Sequence, residues 1–234
     1  MQKLKITLGV LLLSQSLSSY AAGQTELFGI WGLVTLQGDF KSLSPNFDKF
    51  QWKISNQNSV REDSSAGLRL NESLGFGQIG YQLNANASFW MGYLDDAAHP
   101  LNRLPYQESR LYQDFVWTQN IAEFSFTSRF RFEERIQQTT GDIGYRAKQF
   151  IQITHALPFI QDLSVYVNEE AFFHLNQTNF GKQGFSENRF GAGLSYQFTP
   201  KIGGDLGYLQ QYIDNKSGNN LLVNNLQMNL RYRF

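Results

Sequence analysis

The 234-residue sequence contains no cysteine, has no excess of either charge, and carries no long hydrophobic run beyond its first residues. Without cysteine, a disulfide framework and a lipoprotein anchor are both excluded. Without 18 consecutive apolar residues, the sequence predicts no membrane-spanning helix. The 20 basic and 20 acidic residues give a net charge of zero, which argues against a nucleic-acid partner.

Charged residues are also scarce, at 17% of the chain, whereas about 25% is typical of soluble domains. Aromatic residues make up 15%. A surface belt that faces lipid between two aromatic girdles would account for this combination.

The amino-terminal residues are typical of an export signal. Lys3 and Lys5 precede an apolar stretch at residues 6–13, and a small-residue cleavage site ends at Ala22. A retained helical anchor is the less favoured alternative, because a spanning helix needs roughly 20 apolar residues. We therefore predict a signal peptide at residues 1–22 and one barrel domain at residues 23–234.

Alternation with a period of two runs through the remaining sequence and predicts strand after strand. In residues 122–135, for example, phenylalanines occupy one face while Ser, Thr, Arg and Glu occupy the other. The predicted strands are 27–38, 49–60, 67–83, 86–94, 107–118, 122–135, 143–154, 163–175, 187–198, 201–213 and 221–234.

These segments predict an all-β, antiparallel up-and-down transmembrane barrel of 10–12 strands. Eleven segments are found, but bacterial barrels with both termini in the periplasm need an even number. Either residues 27–38 lie outside the wall, giving ten strands, or two strands are merged within 49–83, giving twelve. Twelve is slightly favoured. A soluble barrel such as a lipocalin is the alternative, since a sequence does not label its inner and outer faces.

The last strand alternates Leu230, Tyr232 and Phe234 with polar residues. We expect these three apolar residues to lie on the lipid-facing side of the closing strand.

Charged residues on the polar faces form a predicted lumen charge ladder. Four of them alternate on a single strand, and neighbouring strands supply the others. The ladder comprises Glu108, Arg110, Arg129, Arg131, Glu133, Arg135, Arg146, Glu170 and Arg189. It would either brace a narrow barrel through bidentate pairs or form a charged constriction that selects solutes. Basic residues outnumber acidic ones on these faces, which favours small, mildly anionic solutes.

Catalytic and metal-binding patterns are not found. The three histidines, His99, His155 and His174, stand beside no nucleophile motif, and no metal-ligand spacing is present. We predict no catalytic residue, no metal and no cofactor. Whether the chain is an enzyme stays open, with the balance against it.

An ordered series of short motifs runs along the chain: Trp31-Gly, Leu74-Gly-Phe-Gly-Gln-Ile-Gly80-Tyr81, Trp90-Met-Gly92-Tyr93, Glu108-x-Arg110-Leu111-x-Gln113, Arg129-x-Arg131-x-Glu133-x-Arg135, Glu170-x-Phe172, Asn188-Arg189-x-x-x-Gly193 and Gly207-Tyr208-x-x-Gln211-Tyr212. This series resembles the Gram-negative outer-membrane barrels grouped as the domain of unknown function 2490 family. The resemblance implies an exported barrel in contact with outer-membrane lipids, and it supplies no reaction or ligand. It also implies that Leu230, Tyr232 and Phe234 form an assembly signal, which the barrel assembly machinery of the outer membrane recognises.

The function favoured by these observations is a porin-like, small solute channel with a polar lumen lined by Arg and Glu. A surface-exposed binding or scaffold barrel is the alternative, and an outer-membrane hydrolase is less favoured.

Overall fold

The computed structural model describes residues 24–63, 67–101, 104–215 and 218–234. The signal peptide expected at residues 1–22 lies outside these ranges. The described residues form eleven strands and one short 3-10 turn at Pro45–Phe47. Among them, no helix has the length and apolarity needed to cross a membrane.

The strands are long, with 12–16 residues each, compared with a usual mean of about 5–6. In order they are β1 (Gln24–Asp39), β2 (Phe50–Asp63), β3 (Gly67–Gln82), β4 (Ala87–Ala98), β5 (Tyr106–Ile121), β6 (Phe124–Gln137), β7 (Ile143–Ala156), β8 (Leu163–His174), β9 (Gly184–Gln197), β10 (Ile202–Ile213) and β11 (Asn220–Arg233).

Each strand pairs antiparallel with its neighbours in sequence, and the sheet closes into a barrel through β1 and β11. That closing pair is parallel. Its register runs from Gln24 opposite Asn220 to Gln37 opposite Arg233. The all-β barrel fold predicted from alternation is thus present, with one parallel seam in an otherwise antiparallel wall.

The preference for twelve strands is wrong, because the described chain contains eleven. Among the described residues of 49–83, β2 and β3 pair directly across a register shift at Ser59/Val60, and no extra strand is found. Residues 27–38 belong to the wall as part of β1. The expectation of an even number assumed an antiparallel closure, whereas a parallel seam closes an odd number of strands.

The connections differ between the two ends of the barrel. At one end, the short-turn end, lie the turns after β3, β5, β7 and β9, of two to six residues, and a longer connection at residues 40–49. The connections after β4, β6, β8 and β10 lie at the opposite, long-loop end. Because the strand number is odd, β1 begins at the long-loop end whereas β11 ends at the short-turn end.

The outer face of the barrel is apolar on every described strand. Each strand presents a large apolar side chain that is 40–58% exposed: Val34, Ile54, Ile79, Met91, Leu111, Phe130, Ile153, Phe173, Leu194, Leu206 and Leu230. The buried charged side chains, in contrast, point inward. A soluble barrel has the opposite arrangement, with apolar side chains inside and polar side chains outside.

One small apolar cluster lies inside the barrel, formed by Leu74, Leu94 and Tyr112 with Phe76 packed against it. Close by, Trp90 lies flat over Gly80, where a Cβ atom would approach the indole Cδ2 to 2.3 Å. Glycine at position 80 therefore makes room for a buried tryptophan.

This close approach gives a prediction about stability. We expect Gly80→Ala to lower the free energy of unfolding by about 1–3 kcal/mol, because Trp90 must move in a packed interior. The matched control is Gly77→Ala on the same strand, where no atom lies within 4 Å of the added Cβ. Urea unfolding in detergent micelles measures both. Equal losses in the two variants would contradict the packing of Trp90 over Gly80.

Candidate functional site

The nine residues predicted as the charge ladder all lie on the inner face of the barrel. Along β6, Arg129, Arg131, Glu133 and Arg135 alternate with outward side chains such as Phe130. β5 and β7 place their charged residues directly beside them, with Glu133 opposite Arg146 in the register of β6 and β7. Strong alternation on these strands thus produces adjacent columns of charge.

The cluster nearest the long-loop end is centred on Glu108, which is fully buried. Arg135 binds it in a bidentate manner, with Nε 2.6 Å from Oε1 and Nη2 2.8 Å from Oε2. Arg110 donates from Nε to Glu108 and from Nη2 to Asp96. The Glu72 carboxylate lies 3.8 Å from the same guanidinium.

The middle cluster is centred on Glu133, also with 0% exposure. Its Oε2 accepts from Arg146 Nε at 2.7 Å, and its Oε1 lies 2.9 Å from Lys148 Nζ. Arg131 approaches it to 3.7 Å and makes a bidentate pair with Asp114 at 2.6 and 2.7 Å. One buried carboxylate is therefore surrounded by three cations.

Three further ion pairs lie inside the barrel. Arg129 donates to Glu170 at 2.8 Å. Glu187 accepts from Arg189 at 2.5 Å and from Gln211 at 2.6 Å. Nearer the short-turn end, Arg231 donates to Asp205.

Aromatic rings separate these charges inside the lumen. Phe172 is fully buried, and three cations surround its ring: Arg189 at 4.6 Å, Lys148 at 4.9 Å and Arg146 at 5.3 Å from the centroid. Arg131 lies 3.9 Å from the ring centre of Tyr112. Such cation–π contacts hold the cations in position without using further carboxylates.

A cavity of about 910 Å³ lies inside the barrel. Asn179 and Asn215 line it near the long-loop end, and Gln37 and Thr154 line it near the short-turn end. The residues that border it therefore come from both ends of the barrel.

The cavity wall is predominantly basic. Among the described residues, eleven cations border it: Lys53, Arg61, Arg110, Arg129, Arg131, Arg135, Arg146, Lys148, Lys182, Arg189 and Arg231. Five acids border it: Glu72, Glu170, Glu187, Asp205 and Asp214. Four further carboxylates, those of Asp96, Glu108, Asp114 and Glu133, are at most 2% exposed and lie behind the basic side chains. Burial of acids beneath bases leaves a positive surface in a chain of zero net charge.

The predicted assembly-signal residues Leu230, Tyr232 and Phe234 alternate on the outer face at the closing seam. The Phe234 amide donates to the Gln37 carbonyl of β1 at 3.0 Å. Its ring contacts Tyr232 and Trp52, with centroids 4.7 and 5.5 Å away. The end of the last strand thus joins β11 to both β1 and β2.

Several interior residues were missed by sequence reasoning. Asp96 was placed in a loop, but β4 extends to Ala98 and carries Asp96 inward. Lys53 and Arg61 were not assigned to the lumen, although strict alternation along β2 would have found them. Arg233 was among the basic residues expected on the polar faces, but it is exposed at the end of its strand.

The histidines do not form a catalytic arrangement. His174 is buried beside the lumen, His155 stacks on Phe124 with centroids 4.7 Å apart, and His99 follows β4. In the described ranges, no three His, Asp or Glu side chains converge in a way that could hold a metal ion.

A family model described as "Protein of unknown function (DUF2490)" matches residues 28–222. The chain belongs to this family. It is also 29% identical over 163 residues to an uncharacterized protein of Methylorubrum extorquens, MexAM1_META1p0181, covering 67% of this chain and 70% of that protein.

The middle cluster generates a prediction about bracing of the barrel. Glu133→Gln should lower the free energy of unfolding by about 3–5 kcal/mol, because it leaves buried cations without their counterion. Arg69→Gln is the control, since its ion pair with Asp63 at 3.0 Å is partly exposed and should contribute about 1 kcal/mol or less. Urea unfolding in detergent compares the two. A loss of 1 kcal/mol or less in Glu133→Gln would mean that water, rather than protein, solvates this cluster.

Proposed function

We propose that this chain is an outer-membrane β-barrel of Gram-negative bacteria that acts as a small solute channel with a preference for anions. The observation that carries the proposal is the combination of an apolar outer face with a basic inner cavity whose lining residues come from both ends of the barrel. Each half of this proposal is supported by separate contacts.

Membrane insertion is supported by two bands of outward aromatic residues. Near the short-turn end, ring contacts join Phe50 to Tyr81, Trp117 to Phe126, and Tyr196 to Phe198. Nearer the long-loop end, Phe132 stacks on Tyr145, and Phe185 contacts both Phe173 and Tyr212. Along β6, Phe124 and Phe132 are eight residues apart, or about 26 Å of strand. With the usual strand tilt of about 35–45°, this separation spans roughly 20 Å of barrel height, somewhat less than the apolar band about 25 Å tall that lies between the aromatic girdles of outer-membrane barrels.

The longer connections suggest the orientation, because outer-membrane barrels have short periplasmic turns and longer external loops. We place the long-loop end outside the cell and the short-turn end in the periplasm. The carboxyl-terminal residues Leu230, Tyr232 and Phe234 then lie at the periplasmic side, where the assembly machinery would bind them.

The channel assignment is supported by the balance of charges along the cavity. Glu72, Glu170, Glu187 and Asp205 each lie close to an arginine. Carboxylates neutralised in this way repel anions weakly, whereas the more numerous cations attract them. We therefore expect anions to enter the cavity more readily than cations.

The orientation can be tested by labelling single cysteines, because the natural chain has none. In intact cells, a membrane-impermeant maleimide should label Thr140→Cys, in the connection after β6, and Gln24→Cys, at the start of β1. It should label Lys201→Cys, in the turn after β9, only after the outer membrane is opened. Labelling of Lys201→Cys alone in intact cells would reverse the orientation, and labelling of none before or after opening would contradict insertion.

Ion selectivity tests the channel. In planar bilayers under a KCl gradient, we expect single-channel currents whose reversal potential favours chloride. The two partners of one lining ion pair provide matched variants: Asp205→Asn should increase the chloride preference and Arg231→Gln should decrease it. Absence of current from protein that shows heat-modifiable mobility, and is therefore folded, would exclude the channel.

A further inference from the structure

The inner face of β2 differs from the rest of the lumen. Lys53, Ser55, Gln57, Ser59 and Arg61 alternate along it, with a cation toward each end and no acid between them. All of them except Ser59 border the cavity. This face is here named the β2 stripe.

Arg61 is 6% exposed and borders the cavity, yet no hydrogen bond or ion pair joins it to another described residue. The nearby carboxylates are engaged with other cations: Glu72 with Arg110, Asp63 with Arg69, and Glu187 with Arg189. These carboxylates attract Arg61 through space, but none of them is hydrogen-bonded to it. An enclosed guanidinium without a directly bonded partner is unfavourable, and a mobile anion in the cavity would supply one.

Lys53, toward the short-turn end, is a second cation that borders the cavity and has no ion pair with a described residue. Its Nζ atom lies 4.1 Å from the ring centre of the buried Trp90. The ring holds the ammonium from one side and leaves its other side free for an anion.

Between the two cations lie Ser55, Gln57 and Ser59, whose side chains differ in whether they are free to bind an anion. Ser55 bonds Thr35 at 3.0 Å, and Ser59 accepts from Asn71 at 3.0 Å. Gln57 makes no side-chain hydrogen bond to a described residue, so its amide is free to donate. The three available donors lie four residues apart, at intervals of about 13 Å along the strand.

We propose that the β2 stripe is an anion path through the lumen, in which Arg61 and Lys53 bind small oxyanions such as phosphates and carboxylates and Gln57 bridges them. The planar guanidinium of Arg61 matches two oxygens of such a group, which a spherical halide does not offer. The proposal rests on the channel function above and specifies its route and solute class.

Binding of inorganic phosphate to the purified, detergent-folded mature protein is the first test. By isothermal titration calorimetry, Arg61→Gln should weaken binding about tenfold or more, since a hydrogen bond to a charged group contributes that much. Lys41→Gln, on the exposed connection after β1, is the control for net charge and should bind as the natural chain does. Arg61→Lys keeps the charge but loses the planar fork, and should give intermediate affinity.

Conductance is the second test. Arg61→Gln and Lys53→Gln should each shift the reversal potential toward cations, the double variant should shift it further, and Lys41→Gln should not shift it. Phosphate added to the bath should reduce the chloride current of the natural chain more than that of Arg61→Gln. Heat-modifiable mobility verifies that every variant is folded.

The outcomes separate the path from the channel. Anion-selective currents that neither Arg61→Gln nor Lys53→Gln alters would overturn the path and leave the channel standing. Phosphate binding that depends on Arg61, in a protein that carries no current, would sustain the binding position and overturn the channel. Absence of phosphate binding to the natural chain would overturn the oxyanion site.

Discussion

Pairing of carboxylates with guanidiniums inside the barrel is the interaction on which the rest of the structure depends. With the apolar side chains facing outward, the interior is left to polar residues, and Glu108 and Glu133 are removed completely from solvent. A buried carboxylate without a partner would cost several kcal/mol. The wall must therefore hold a register in which each meets its cations, as Glu133 does opposite Arg146. Charge pairing thus selects one strand register among the alternatives that hydrogen bonding alone would allow.

Bracing of the wall and selection of solutes are the two roles predicted for the charge ladder. The two members of several of its ion pairs lie at different depths of the wall, so one role need not exclude the other. Asp96, Glu108, Asp114 and Glu133 are buried behind the arginines that they bind. The same ion pair therefore fixes the wall through its buried acid and presents its basic partner to the cavity. The lumen becomes basic in this way although the whole chain has zero net charge, because the cavity is bordered by the basic member of each of these pairs.

Much of this fold could be predicted from alternation, and β6 shows why. Phenylalanines on one face and charges on the other fix the direction of each side chain once the interior is known to be polar. Partner choice could not be predicted in the same way. Arg110 pairs with Glu108 on its own strand and with Asp96 on β4, a combination that depends on register and on where β4 ends. The strand number was missed for a similar reason, because the pairing of β1 with β11 joins the two ends of the sequence and leaves no local pattern.

Ion pairs are unevenly distributed around the barrel, and this distribution bears on where an anion could bind in the proposed channel. Arginines on β5 to β9 are held by carboxylates and by rings such as Phe172, so their hydrogen-bonding capacity is largely used. Conduction requires several weak positions that bind an ion and release it, and saturated guanidiniums offer little of this. Lys53, Gln57 and Arg61 on β2 form no side-chain hydrogen bond or ion pair with another described residue, and no inward acid on their own strand lies between them. In the proposed channel, the strands with ion-paired arginines would supply a rigid wall, and β2 would supply the surface along which an anion exchanges partners.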